Sequence, residues 1–378
     1  MSYDAIIVGA GVFGAWTAVH MQRAGKRVLL VDQAGPAHAR ASSGGESRLT
    51  RSLYGADAIY SRMAANSLDE WRRLSDASSL PLFHKTGALF FFAEEGEYAR
   101  NSIAVHEELG LPLKILTQAE LAQRWPQIDF AGVALGLYQP AFGALMARRA
   151  VQELVRAFVG AGGDYHLAHV RPSVTDNAVL IDGVQARADA IVFACGPWLG
   201  KLFPEIFGAR LFITRQEIAF LAPPDGDDRF EAHALPCWAE HNGQELFYGF
   251  PNLETRGFKL ACDRHGPLFD PDTGDRRMSG EGIDLLRAYL RGRFPALAER
   301  PFTEFRVCQY ENSANGDFLM DRHPSLAGVW LLGAGSGHGF KHGPEVGRMM
   351  ADLVLGRAAP EPRFTLATKG DAHRRSVV

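Results

Sequence analysis

The sequence predicts a mixed α/β and α+β fold in which a parallel sheet, assembled from separated segments, accompanies an inserted antiparallel sheet. Residues 5–8 form a short apolar run rich in β-branched residues, which is typical of a strand buried on both faces. Similar buried runs occur far along the chain, at 190–195 and 329–332. Between these two runs, residues 216–300 alternate strand-like segments with loops rich in Pro, Gly and Asp. The pattern therefore predicts two interleaved units.

Composition and charge exclude several classes of protein. The 378 residues are 47% hydrophobic and 22% charged, which is an ordinary globular balance. The formal net charge of −3 offers no basic surface for nucleic acid, and four cysteines are too few for a disulfide framework. No apolar run reaches the roughly 18 residues of a membrane span, and the N-terminus has no basic signal region. We therefore expect a cytoplasmic protein without a nucleic-acid or membrane partner, and the histidines show no metal-ligand spacing.

Hydrophobic periodicity and cap residues place the main elements. They predict helices over 15–24, 147–158, 282–293 (capped by Ser279) and 344–355, and a helix beginning within 46–51. Strands are expected over 27–32 and 87–92, and a loose tail over about the last fifteen residues. The predicted division is a Rossmann-like domain at 1–85, 146–215 and 305–378, with an inserted substrate domain at 86–145 and 216–304.

A glycine motif after the first strand indicates a bound dinucleotide. Gly9, Gly11 and Gly14 form G-x-G-x-x-G between a strand and a helix, which is the context that the motif requires. The helix N-terminus offers N–H groups to a pyrophosphate, and Asp32 at the end of the next strand can accept hydrogen bonds from a ribose. The motif alone fits FAD or NAD. Its position near the N-terminus and the glycine-rich turn at 333–339 favour FAD.

Six motifs, in order and at the expected spacing, give the chain a resemblance to a known family. They are Gly9-Ala-Gly-Val-Phe-Gly14, Gly45-Glu-Ser-Arg48-Leu-Thr-Arg51, Tyr248-Gly-Phe-Pro251, Gly257-Phe-Lys259-Leu260, Cys308-Gln-Tyr310 and Gly337-His-Gly-Phe-Lys341. From Ala5 to about Leu355 the chain resembles the monomeric sarcosine oxidase and N-methyltryptophan oxidase family of D-amino-acid-oxidase-like flavoproteins. The resemblance implies a Rossmann-like FAD-binding domain, an amino acid substrate, O2 as acceptor, and a monomer.

The resemblance gives two residues a chemical role. It implies that Cys308 is bonded through sulfur to the flavin and that Lys259, near the flavin, speeds the reaction with O2. A fixed cation can stabilise the negative charge that develops on oxygen. Without the resemblance, Cys308 reads as an inert buried thiol, like Cys195, Cys237 and Cys262, and Lys259 reads as a surface lysine.

The resemblance also implies a substrate pocket. In it Arg51 and Lys341 hold the substrate carboxylate, while Arg48, Tyr248 and Tyr310 line the reaction site together with Lys259. On their own, the two arginines would read as the solvated face of a helix. The expected cofactor-binding residues are Gly9, Gly11, Val12, Phe13, Gly14, Asp32, Ser42, Arg48, Val170, Cys308, Gly337 and Lys341.

Two positions depart from the family pattern. Gly44 stands where most of the family carries a histidine beside the flavin, and this predicts a roomier pocket that prefers an amino acid bulkier than sarcosine. The stretch after Lys259 reads Leu260-Ala-Cys-Asp263-Arg-His265, so the resemblance does not carry a histidine contact of the family over to this stretch.

The predicted function is oxidation of an N-methyl or cyclic amino acid by hydride transfer to FAD, with O2 reduced to H2O2 and the imine hydrolysed. Three alternatives remain open at this point. They are an FAD-dependent dehydrogenase with another electron acceptor, an NAD-linked dehydrogenase, and a flavin-binding protein without catalytic activity.

Overall fold

The fold combines a mostly parallel sheet with a second, mostly antiparallel sheet, which confirms the predicted mixed class. A computed structural model describes residues 3–208, 210–242 and 245–370. The predicted C-terminal tail lies partly outside the described residues, as do the first two residues of the predicted nucleotide-binding domain. Among the described residues, 362–364 and 366–368 form short 3₁₀ turns.

The helices of the described residues agree closely with the predicted ones where these were assigned. They are α1 (Val12–Arg23), α2 (Ala58–Asp76), α3 (Glu97–Glu108), α4 (Gln118–Arg124), α5 (Ala147–Gly160), α6 (Leu199–Leu202), α7 (Pro204–Phe207), α8 (Gly280–Arg293) and α9 (Gly343–Val354). The hydroxyl of Ser279 accepts a hydrogen bond from the N–H of Gly282 and caps α8 as predicted.

The strands are distributed along most of the chain. They are β1 (Tyr3–Val8), β2 (Val28–Asp32), β3 (Ser47–Thr50), β4 (Phe83–His84), β5 (Ala88–Phe92), β6 (Lys114–Thr117), β7 (Leu135–Gln139), β8 (Gly143–Met146), β9 (Asp164–Leu167), β10 (Val170–Pro172), β11 (Ala178–Ile181), β12 (Val184–Phe193), β13 (Leu211–Leu221), β14 (Cys237–His241), β15 (Leu246–Phe250), β16 (Phe258–Cys262), β17 (Phe302–Ser313), β18 (Leu319–Arg322) and β19 (Val329–Gly333).

The first eight-stranded sheet has a parallel centre. Strands β19, β12, β1, β2 and β9 lie side by side in that order, all parallel. Strands β10 and β11 extend it antiparallel beside the first half of β12, and β18 pairs antiparallel with β19. Helices α1 and α9 pack closely because Gly347 meets Trp16, where a Cβ would lie 2.6 Å from the Trp16 carbonyl carbon. This sheet carries the predicted glycine motif at the carboxyl end of β1.

The second eight-stranded sheet runs in the order β17, β13, β16, β15, β14, β5, β7, β6. Its pairs are antiparallel except for β14 with β5. Strands β13 and β17 lie wholly in this sheet, whereas the predicted boundaries at 215/216 and 304/305 divide them. The position of the domain boundaries stays a prediction.

The helix predicted to begin within 46–51 is wrong. These residues form β3, which pairs antiparallel with β8 in a three-stranded sheet with β4. The segment is too short to show a helical period, and its partner strand lies about a hundred residues later, so tertiary pairing decides its structure. Arg48 lies in β3 and Arg51 directly follows it, so the two arginines do not share a helix face.

No helix among the described residues is both long enough and apolar enough to span a membrane.

Candidate active site

The turn between β1 and α1 has the geometry that its glycines predict. Gly9 has φ +104°, and a Cβ there would lie 2.4 Å from the carbonyl oxygen of Ala194. A Cβ on Gly14 would lie 1.9 Å from the carbonyl oxygen of Gly9, so the helix can approach the strand only with glycine here. Gly11 is the N-cap of α1 and has no side chain to satisfy the first N–H groups of the helix. Apart from the Val12 N–H, which donates to the Ser43 hydroxyl, the turn therefore leaves the helix N-terminus open to an anion.

A large cavity lies against this turn and encloses about 1550 Å³ of space, including its opening to solvent. It is lined by residues from the start of α1, from β2, from β10, from β17 and from the glycine-rich loop at 333–339. The predicted cofactor-binding residues on its wall are Gly9, Gly11, Val12, Phe13, Asp32, Ser42, Arg48, Val170, Cys308 and Gly337. Gly14 lies behind the turn, and Lys341 lies outside this cavity. This cavity suits FAD. The N-terminus of α1 can face its pyrophosphate, and the carboxylate of Asp32 can bind its ribose.

The carboxylate of Asp32 already accepts hydrogen bonds from three backbone N–H groups. Its Oδ2 accepts from the N–H of Ala10 at 2.8 Å, and its Oδ1 accepts from the N–H groups of Ala34 and Gly35 at 2.8 and 2.9 Å. A carboxylate offers about four acceptor positions, so capacity remains for one hydroxyl of a ribose. The backbone N–H groups hold the carboxylate in place at the cavity wall.

Cys308 and Arg48 meet on the wall of the cavity. The Nη2 of Arg48 lies 3.4 Å from the Sγ of Cys308 and donates to the carbonyl of Ser42 at 2.6 Å. Gly45 makes room for this guanidinium, since a Cβ there would lie 2.5 Å from its Nη1. A guanidinium so close can stabilise negative charge on the sulfur. Burial raises the pKa of the Cys237 thiol to about 12, which holds that sulfur in its unreactive form.

Lys259 is buried in β16, with 3% of its surface exposed. Its Nζ donates to the carbonyl oxygen of Ser47 at 2.9 Å and to the Ser47 hydroxyl at 3.2 Å, and it lies 4.3 Å from the centre of the Phe250 ring. Burial, followed by the charge of Arg48, lowers the pKa of Lys259 to about 7. The lysine is therefore no surface residue, and its charge can change near neutral pH.

A second pocket adjoins the large cavity. It is lined by Arg51, Tyr54, Asp57, Tyr98, Asp263, His265, Tyr310, Ser336, Gly337 and His338. Tyr310 and Gly337 line both spaces, so the pocket and the cavity share a wall. Arg51 lies over the Tyr54 ring with its guanidinium carbon 4.0 Å from the ring centre, and it donates to the carbonyl of Leu53. A cation on the wall of a small pocket suits a carboxylate ligand.

Lys341 lies behind the wall of this pocket. Its Nζ donates to the hydroxyl of Tyr54 and to the carbonyl of His338, both at 2.8 Å. Burial, with a further contribution from Arg51, lowers the pKa of Lys341 well below its usual range. Tyr54 also bonds to His342 at 2.7 Å, so a hydrogen-bond network supports the pocket from this side.

Tyr248 and Tyr310 both lie near the carboxylate of Asp263. The Tyr310 hydroxyl donates to the Oδ1 of Asp263 at 2.8 Å. Burial raises the pKa of both tyrosines, and the charge of Asp263 raises it further. Both hydroxyls therefore remain protonated donors. Asp263 occupies the stretch where the sequence departs from the family pattern.

The prediction that Gly44 makes the pocket roomier is wrong. A Cβ at Gly44 would lie 2.1 Å from the carbonyl oxygen of His38 and 3.3 Å from that of Ala37. The backbone of residues 37–38 thus fills the space that a side chain would need, and Gly44 is required by this close approach. The preference for a substrate bulkier than sarcosine has no support at this position.

The sequence interpretation missed several polar residues of the cavity wall, among them Ser43 and Glu311. The Ser43 hydroxyl accepts from the N–H of Val12 at 3.1 Å and anchors the loop to α1. Burial raises the pKa of Glu311 to about 7, and its Oε2 accepts from the N–H of Ala334 at 2.8 Å, within a loop where Ala334 and Ser336 have positive φ. The sequence offered one signal for Glu311, which directly follows Tyr310 in a motif that the resemblance assigns to the site.

The described residues contain no group of three or more His, Cys, Asp or Glu side chains placed to hold a metal ion.

Comparison with known proteins gives a consistent result. A family model described as FAD dependent oxidoreductase matches residues 4–353. Peroxisomal sarcosine oxidase of Mus musculus is 29% identical over 369 residues, covering 93% of this chain and 92% of the relative. Monomeric sarcosine oxidase of a Bacillus species is 28% identical over 364 residues, with 93% and 92% covered. N-methyl-L-tryptophan oxidase of Salmonella newport is 27% identical over 376 residues, with 97% of each chain covered.

Solved structures share the fold. L-proline dehydrogenase from P. horikoshii superimposes with a TM-score of 0.84 at 17% identity, covering 98% of this chain and 99% of that one. Fructosamine oxidase from Aspergillus fumigatus gives a TM-score of 0.80 at 23% identity, covering 97% and 89%. At these identities the likeness supports the fold alone.

Proposed function

Because the chain belongs to the FAD dependent oxidoreductase family, we propose that it oxidises an N-methylated or cyclic amino acid in the pocket beside the large cavity. The predicted family, the FAD cofactor and the class of amine oxidoreductase of the sarcosine oxidase type are confirmed by the comparisons. The NAD alternative is thereby set aside. Relatives named for sarcosine and for N-methyl-L-tryptophan support a secondary amino acid as the substrate class.

One observation carries the proposal: the pocket that contains Arg51 shares the wall formed by Tyr310 and Gly337 with the cofactor cavity. Arg51 binds the substrate carboxylate through charge-assisted hydrogen bonds. Lys341 lies behind the pocket wall and supports the pocket through the hydrogen bond from its Nζ to the Tyr54 hydroxyl. The amine end is thus directed toward the shared wall.

When bound, FAD supplies a two-electron acceptor for the hydride on the carbon next to the amine nitrogen. Passage of these electrons from the reduced cofactor to O2 would give H2O2, and the released imine product would hydrolyse in water. Tyr310 donates a hydrogen bond at the shared wall and, with Tyr248 near it, excludes water from this region. Lys259, held by Ser47, supplies the positive charge that favours electron transfer to O2.

Attachment of the cofactor through Cys308 is part of the proposal. Its support is the Arg48 guanidinium, 3.4 Å from the sulfur, together with the position of Cys308 on the cavity wall. We also propose, from the sequence and its resemblance, that the protein works as a monomer in the cytoplasm.

Oxygen uptake by the purified enzyme with a panel of N-methyl and cyclic amino acids tests the function. We expect O2 consumption matched by equal H2O2. A dehydrogenase would instead reduce an artificial dye with the same amines and consume no O2. A catalytically silent flavin-binding protein would do neither.

A further inference from the structure

Asp263 places a carboxylate in the same pocket as Arg51. It directly follows β16, the strand that carries Lys259, and its N–H donates to the carbonyl of Leu246 at 2.6 Å. Its Oδ1 accepts from the Tyr310 hydroxyl at 2.8 Å. Asp263 is therefore held from two sides, on the pocket wall, at a tyrosine that also lines the cofactor cavity.

The pocket consequently has charges of both signs. Arg51 contributes a guanidinium, and the charge of Asp263 acts on both Arg51 and Lys341. Tyr310 connects the carboxylate to the wall shared with the cofactor cavity, whereas Arg51 lies against the Tyr54 ring. A ligand that carries a carboxylate and an ammonium group a few bonds apart matches this arrangement better than a simple carboxylate does.

We propose that Asp263 binds the ammonium group of a zwitterionic amino acid whose carboxylate is held by Arg51, and that it accepts the proton which the amine must lose before oxidation. This rests on the proposed function. The step transfers one proton: the N–H bond of the ammonium breaks, an O–H bond forms on Asp263, and no electrons are exchanged. The neutral amine then keeps the lone pair that assists departure of the hydride.

The alternative is that Asp263 only balances the charge of Arg51. In that case the pocket would gain nothing from a cationic amine, and it would bind equally well a ligand of the same shape that has the same carboxylate but no positive charge. Two molecules of this kind are glycine betaine and 3,3-dimethylbutanoate, which differ by a quaternary nitrogen in place of a carbon. Because they have equal size, their affinity ratio isolates the effect of the positive charge.

The experiment measures the dissociation constants of both probes for the holoenzyme from the change in flavin absorbance. We expect glycine betaine to bind at least about tenfold more tightly, since two charges about 4 Å apart near a protein surface attract strongly. Asp263→Asn should reduce this ratio toward one. Retained flavin absorbance shows that the variant is folded.

Asp57→Asn is the matched control, because Asp57 lines the same pocket but its carboxylate is paired with Arg363 at 2.8 Å. It should change the ratio far less than Asp263→Asn does. Equal affinity for the two probes in the unaltered enzyme, binding of neither, or an equal effect of both variants would overturn the proposal. If N-methyl or cyclic amino acids still bleach the flavin in those samples, the proposed function stands and only the role of Asp263 fails.

Discussion

At the scale of single residues, burial lowers the pKa of Lys259 and so makes its charge depend on pH near neutrality. Its pKa of about 7 means that the ammonium loses its proton as pH rises through neutrality, so the charge that we propose acts on O2 is present below about pH 7 and absent well above it. We predict that reoxidation of the reduced enzyme slows across this range. Stopped-flow reoxidation as a function of pH measures it.

Lys259→Met should slow reoxidation by about a hundredfold and remove this pH dependence, since a fixed charge at a developing anion is commonly worth that much. Anaerobic reduction by substrate should change much less. Equal losses in both half-reactions would show that Lys259 positions the substrate or the cofactor instead.

Cys308 differs from the other cysteines in having a guanidinium at its sulfur. We predict that flavin colour stays with acid-precipitated protein and that Cys308→Ala releases it to the supernatant. Cys237→Ser is the control and should keep the colour, because burial raises the pKa of Cys237 to about 12 and leaves that thiol inert. Full release of flavin from the unaltered protein would rule out covalent attachment.

At the scale of elements, the sequence predicts those whose signals are local, and it fails where an element depends on pairing with a distant strand. The strand–turn–helix unit of β1 and α1 follows from an apolar run and three glycines, all within the first 25 residues. The segment at 46–51 became a strand because β8 pairs with it, and nothing local reveals that partner. The role of Gly44 was likewise hidden, since it depends on how the chain at 37–38 folds back.

We predict that Gly44→Ala lowers the free energy of unfolding by about 1–3 kcal/mol, the usual cost of forcing an extra carbon into packed backbone. A Cβ there would lie 2.1 Å from the carbonyl oxygen of His38. Gly160→Ala is the control: it lies at the end of α5 with nothing within 4 Å of the added carbon, and it should be neutral or slightly stabilising. Denaturant unfolding measures both, and equal stability of the two variants would contradict the packing role.

At the scale of the whole molecule, the site is assembled from distant parts of the chain. Arg51 follows β3, Asp263 follows β16, Tyr310 lies in β17, and Gly337 lies in the loop before α9. The resemblance supplied Arg51, Tyr310 and Gly337, because their motifs are local in sequence. It could not supply the placement of Asp263, which depends on the pairing of β13 with both β16 and β17.

The same arrangement predicts which substrates depend on Arg51. Arg51 should matter only for substrates that carry a carboxylate, because its guanidinium lies in the pocket rather than in the cofactor cavity. Each charge-assisted hydrogen bond is worth about 1.5–3 kcal/mol, so Arg51→Met should weaken binding of an amino acid by about ten- to a hundredfold or more. A secondary amine without a carboxylate, such as N-methylethylamine, is the matched control substrate.

The most direct measurement is the anaerobic bleaching of flavin absorbance when the purified holoenzyme and its Arg51→Met variant are mixed with N-methyl and cyclic amino acids. We predict that at least one of these amino acids bleaches the unaltered enzyme fully, that the variant needs far higher concentrations of it, and that N-methylethylamine reacts poorly and equally with both. If no secondary amino acid bleaches the enzyme, or if the amine without a carboxylate is the better substrate, then this pocket does not bind a secondary amino acid for oxidation.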